Sequence, residues 1–198
     1  MSRPRAGAKQ SVALQKAGPQ AVFLVGFMGA GKSTVGQALA ERLQWRFEDL
    51  DDRIERREAR TVPEIFRTAG EQNFRRAERD ALNEVLGELR NGGARVVALG
   101  GGAFVQPAIA ALLAAARVPT MFLDAPVEQL WQRCEIEARQ GTVRPLLTSK
   151  TRFCELYQAR RHGYLQATAR IQTGGRSVRA VAEEIALFLK KKSRGKKV

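Results

Sequence analysis

Five short stretches along the chain are rich in apolar and β-branched residues, and each is separated from the next by a longer amphipathic segment. Residues 21–25, 46–50, 95–99, 119–123 and 169–173 are too short for helices and are bounded by Gly, Pro or charged side chains, so they predict strands. The intervening segments carry a helical period. One runs from Val35 to Leu43, and a long charged one from Asp51 to Arg90 is broken near Thr61-Val62-Pro63 and at Thr68-Ala69-Gly70. An Ala-rich helix begins near Pro107, and another follows Asp124-Ala125-Pro126 and runs to about Arg139. The last two span about 151–168 and 177–191. Strands alternating with helices predict an α/β fold of three layers, α/β/α, with a five-stranded parallel sheet covered on both faces and joined by right-handed crossovers. Ligands of such sheets bind beyond the carboxyl ends of the strands, so residues just after each strand are the candidates for chemistry.

Charge alters this picture less than its total suggests. The net charge is +14, but ten of those charges lie in residues 1–20 and 190–198, which contain no acid, leaving +4 for residues 21–189. The folded part is mildly basic, as suits a cleft for small anions. The two ends read as basic, disordered tails, with no specific nucleic-acid partner expected. The longest apolar run, residues 108–116, is too short to span a membrane, which takes about 20 residues. The basic N-terminus has no apolar segment after it, unlike a secretory signal. Cys134 and Cys154 show neither metal spacing nor a disulfide framework, so a reducing cytoplasm is the simplest home.

The most informative stretch is Gly26-Phe27-Met28-Gly29-Ala30-Gly31-Lys32-Ser33-Thr34, placed between a predicted strand and a predicted helix. It fits G-x-x-x-x-G-K-[ST]. Glycines let backbone N–H groups converge on phosphate oxygens, and the helix N-terminus adds its positive dipole end. Lys32 reaches the outer phosphates and the Ser33 hydroxyl is placed to ligate Mg²⁺. Residues 26–34 therefore predict a nucleoside triphosphate site.

Further candidates follow the other strands. Asp49 and Asp51, two apart, would share one side if the strand persisted that far; one could hold Mg²⁺ through water and the other orient a hydroxyl or accept its proton. Arg75 stands four residues after Glu71, which allows either an ordinary helix-surface ion pair or a two-pronged grip on a ligand carboxylate. Gly100-Gly101-Gly102 leaves bare backbone for a ligand. Arg144, before Pro145 in a loop proposed as mobile, could swing onto a transferring phosphoryl group. Arg160 and Arg176 are single arginines compatible with surface charge, and His162 reads as a solvated helix residue.

The order and spacing of these motifs resemble the shikimate kinase family, a nucleoside-monophosphate-kinase-like branch of the P-loop proteins. The resemblance covers about residues 21–189 and rests on G-F-M-G-A-G-K-S-T at 26–34, D-L-D-D-R-I-E at 49–55, E-I-F at 64–66 and G-E-x-x-F-R-R-x-E at 70–78. It continues with L-G-G-G at 99–102, R-P-L-L at 144–147 and the Arg160–Tyr164 spacing. It implies ATP-dependent phosphorylation of the 3-hydroxyl of shikimate with Mg²⁺, in the aromatic amino acid pathway, by a monomer with a substrate-binding insert at about 51–90 and a lid at about 134–150. Carried over by position, Gly29, Ala30, Gly31, Lys32, Ser33 and Thr34 bind ATP, with Arg144 from the lid and Arg176 beside the adenine. Ser33 and Asp49 serve the metal. Asp51 holds and activates the hydroxyl, Arg75 and Arg160 clasp the carboxylate, and Gly101 and Gly102 line the ring; Lys32, Asp51 and Arg144 are the catalytic set. Ala59 stands where the family usually has glycine, and His162 where proline is common. A gluconate-type kinase and a non-catalytic sensor domain are the alternatives.

Overall fold

A computed structural model describes residues 20–140 and 149–194. The described chain forms β1 (Ala21–Val25), α1 (Lys32–Leu43), β2 (Arg46–Asp49), α2 (Leu50–Glu58), α3 (Val62–Arg90) and β3 (Arg95–Ala98). It continues with α4 (Pro107–Ala115), β4 (Thr120–Asp124), α5 (Val127–Arg139), α6 (Lys150–Tyr164), β5 (Ala169–Gln172) and α7 (Val178–Arg194). The five strands make one parallel sheet in the order β2-β3-β1-β4-β5. Every residue of β1, β3 and β4 is buried, which is why those strands lack the in-out alternation of a half-exposed sheet. The edge strands β2 and β5 are only partly covered. Helices flank the sheet, α1 packing on α7 and α3 on α4, so the architecture is the expected three-layer α/β/α. With β1 between β3 and β4, the loops leaving β1, β2 and β3 emerge side by side at one end of the sheet.

Local chemistry explains the boundaries. Helix α3 opens with a capping box, Thr61 and Glu64 each accepting from the other's backbone, with Pro63 in the first turn. Its backbone breaks at Gly70 (φ 78°, ψ 169°), a conformation that a residue with a Cβ disfavours, and this is the second of the two expected interruptions. Ala59 caps α2 in the left-handed region (φ 50°, ψ 33°), so it adopts the shape suited to the family's glycine at a strain cost of about 1–2 kcal/mol.

Three expectations differ from what is observed. Helix α1 begins at Lys32 rather than Val35, which puts Lys32 and Ser33 in its first turn. Helix α6 ends at Tyr164 rather than near Thr168, because Thr168 is bound to β4: its hydroxyl accepts from the Thr120 amide (3.1 Å) and its amide donates to the Thr120 hydroxyl (3.0 Å). Helix α7 continues to Arg194, so the first part of the basic C-terminal stretch is helical. Among the described residues no helix is long and apolar enough to cross a membrane.

Candidate active site

Two cavities open at the carboxyl end of the sheet, and they share a wall. The first, about 150 Å³, lies over the loop between β1 and α1 and is lined by Gly29, Gly31, Lys32, Ser33, Thr34 and Asp49. The second, about 230 Å³, is lined by Glu55, Val62, Phe66, Phe74, Arg75 and Arg160. Met28, Asp51, Gly100 and Gly101 belong to both. One concave region thus has a phosphate-loop half and an arginine-bearing half, with a carboxylate at the junction.

The loop half is built mainly from backbone. Gly29 has φ +75°, and a Cβ there would stand 2.5 Å from the Leu130 carbonyl oxygen, so both conformation and space demand glycine. Ala30 is buried beneath the loop, its amide bonded to the Phe27 carbonyl (3.3 Å). The Lys32 ammonium donates to the carbonyls of Gly26 and Phe27, each at 3.0 Å, which holds it over the turn. Arg133 from α5 donates to the Gly29 carbonyl (3.2 Å) and ties the loop to that helix. The Ser33 hydroxyl donates to Asp49 Oδ2 (2.7 Å), so the two hard-oxygen donors assigned to Mg²⁺ are adjacent. No cluster of three or more carboxylate, His or Cys ligands exists among the described residues. Mg²⁺ needs none, since it keeps its waters and takes one or two protein oxygens beside the phosphates.

Asp51 reaches the junction by a route other than the expected one. The strand stops at Asp49, which caps α2 by accepting from the Asp51 amide (3.1 Å), so Asp51 lies in the first turn of a helix and strand alternation plays no part. Its Oδ1 is buried and has no hydrogen-bond partner within the protein. Burial pushes its pKa from 3.8 up to about 7, reinforced by the charges of Asp49 and Glu78 and opposed by Lys32. A carboxylate so placed accepts a hydroxyl proton near neutral pH.

Arg75 and Arg160 both line the second cavity. Arg75 Nη1 donates to Glu78 Oε2 (2.9 Å), while Nε and Nη2 donate to Glu71 Oε1 (3.2 and 3.0 Å). Glu78 is fully buried and also accepts from Gln106 Nε2 (2.6 Å); burial raises its pKa, with Arg75 and Gln106 pulling it down. Arg160 lies 5.9 Å over the Phe27 ring and donates to the Gly101 carbonyl (3.4 Å), which also accepts from the Tyr164 hydroxyl. Glycines at 100 and 102 make room for the charged groups, for a Cβ would stand 2.7 Å from Asp51 Oδ1 at Gly100 and 2.6 Å from Arg75 Nη2 at Gly102.

The family model described as shikimate kinase matches residues 28–190. The chain belongs to the shikimate kinase family. It is 41% identical over 172 residues to the shikimate kinase of Geobacter sulfurreducens, spanning 85% of this chain and 90% of that one. Its fold superposes on a shikimate kinase from Acinetobacter baumannii in complex with shikimate with a TM-score of 0.77 at 34% identity, covering 90% and 97% of the two chains. A gluconokinase from Sinorhizobium meliloti also matches, at TM-score 0.56 and 17% identity over 89% of this chain and 95% of that one, a likeness of fold alone.

Of the residues assigned by the family pattern, Gly29, Gly31, Lys32, Ser33, Thr34, Asp49, Asp51, Arg75, Gly101, Gly102 and Arg160 line the joined cavities. Arg176 does not. It pairs with Glu184 and donates to the carbonyls of Gln172 (2.9 Å) and Ala180 (3.4 Å) at the start of α7. Arg144 lies outside the described residues, as do the other lid residues from 141 to 148. Sequence reasoning missed Glu78, Glu55 and Arg133. The signal for Glu78 was its position three residues after Arg75; nothing along the chain reveals that its carboxylate is buried.

Proposed function

We propose that the joined cleft transfers the γ-phosphoryl group of ATP to the 3-hydroxyl of shikimate, with ATP in the loop half and the acid in the arginine half. The observation carrying this reading is that Asp51, with a buried unpartnered oxygen, belongs to both cavities. Arg75 and Arg160 take the substrate carboxylate, Gly101 and Gly102 form the floor, and the hydroxyl lies on Asp51 Oδ1. The hydroxyl oxygen bonds to the γ-phosphorus as the bond to the β,γ-bridging oxygen breaks. The proton passes to Asp51, and ADP leaves. Lys32 neutralises charge on the outer phosphates, and Arg144 is assigned there by its motif alone. Ser33 and Asp49 would hold Mg²⁺, which supplies further charge neutralisation when bound.

Catalysis here is chiefly positioning, because phosphoryl transfer leaves little covalent work for the protein. A two-arginine clamp also explains a preference for an acid over a neutral polyol. The substrates of this reaction point to the cytoplasm. Shikimate-dependent ADP release with Mg-ATP tests the reading. Turnover with shikimate that far exceeds turnover with gluconate is expected; a reversed preference, or no shikimate-dependent release, would reject it.

A further inference from the structure

The arginine meant for the substrate is already engaged by two carboxylates. Glu71 Oε1 takes the Nε and Nη2 edge of Arg75, and Glu78 Oε2 takes Nη1. A guanidinium grips a carboxylate best with two parallel N–H groups, so an incoming acid must displace one of these residues to gain a full edge. Burial decides which. The Glu78 side chain is 0% exposed and anchored by Gln106 as well, and stripping Arg75 from it would strand a buried charge. The Glu71 side chain is 64% exposed, so it can swing into water at little cost. Glu71 also directly follows the Gly70 break, in the first turn of a new helical segment, where the dipole stabilises a released carboxylate.

We infer that Glu71 is an exchangeable carboxylate that occupies the ligand edge of Arg75 in the empty cleft and is displaced by the substrate acid, so that it sets acid affinity and selectivity. Inorganic anions must compete with it without a hydroxyl to place on Asp51. Shikimate competes using a clamp of two arginines and a hydroxyl on Asp51. This inference rests on the reading of the cleft given above.

The experiment is steady-state kinetics of the full chain and of Glu71→Gln and Glu71→Asp, with sulfate as a competing anion. Removing the occupant should lower KM for shikimate about threefold, the size of an exposed ion pair. It should leave kcat and KM for ATP within about twofold and increase inhibition by sulfate. Glu71→Asp, too short to keep the contact but equally charged, should behave like Glu71→Gln. An unchanged or raised KM for shikimate in Glu71→Gln overturns the inference, as does a wild-type KM in Glu71→Asp. Absence of wild-type turnover would instead reject the reading of the cleft itself.

Discussion

On the proposed reading, the two halves of the cleft recognise anions by opposite means. The phosphate half is assembled from nine consecutive residues, 26–34, whose backbone supplies the cradle and whose glycines keep side chains out of it. The acid half draws on α2, α3, the loop after β3 and α6, and its recognition is done by side chains between residues 51 and 160. A triphosphate presents many oxygens in a chain that any close-fitting backbone can follow. One carboxylate on a small ring needs a few charged groups at fixed separations, and those have to be brought from afar and held there. Hence the supporting partners: Glu78 and Gln106 behind Arg75, and Tyr164 beside Arg160 on the Gly101 carbonyl. The loop half is held mainly by its own turn, with one tie from Arg133, and the acid half by the tertiary fold.

That contrast can be tested from both sides. The largest expected effect falls at the junction. Asp51→Asn should keep ATP affinity, measured by nucleotide titration, while turnover falls by a factor on the order of 10²–10⁴, as on loss of a proton acceptor. Arg75→Lys should raise KM for shikimate by about 10–100-fold through loss of the planar fork, with KM for ATP nearly unchanged. Gly29→Ala should do the reverse. With φ +75° and the Leu130 carbonyl 2.5 Å from the new Cβ, the loop must shift. ATP affinity should drop by roughly 10–100-fold, in line with a strain of ~1–3 kcal/mol, and shikimate binding should be spared. If Arg75→Lys and Gly29→Ala each damaged both substrates equally, the halves would not be independent.

A further effect is on stability, and it has a pH signature. The Asp51 carboxyl titrates near 7 in the fold against 3.8 in the free chain, so its ionisation favours the unfolded state. The folded protein loses stability from this group as pH rises from about 4 to about 7, and the full cost, on the order of a few kcal/mol, persists above that. Asp51→Asn should therefore melt higher than the wild type at pH 8 and show little advantage at pH 4, as thermal denaturation at the two values will show.

The same contrast sets what could be read from the sequence. Residues 26–34 announce their role because spacing, glycines and flanking elements all act locally, and all five strands were visible for the same reason. Arg75 and Asp51 were ambiguous by chemistry alone, and only the family pattern chose between surface charge and ligand contact. In the structure Arg75 forms the ion pair with Glu71 and also lines the cavity, so its position alone does not separate the two readings. The burial of Glu78, the helical setting of Asp51 and the diversion of Thr168 to β4 depend on neighbours distant in the chain, so no local pattern records them.

The most direct test is a crystal structure of the ternary complex with shikimate and a non-hydrolysable ATP analogue. The account predicts the 3-hydroxyl at hydrogen-bond distance from Asp51, the γ-phosphate beside Lys32 and the carboxylate on Arg75 and Arg160. Shikimate bound away from both arginines, or with its hydroxyl turned from Asp51, would contradict it.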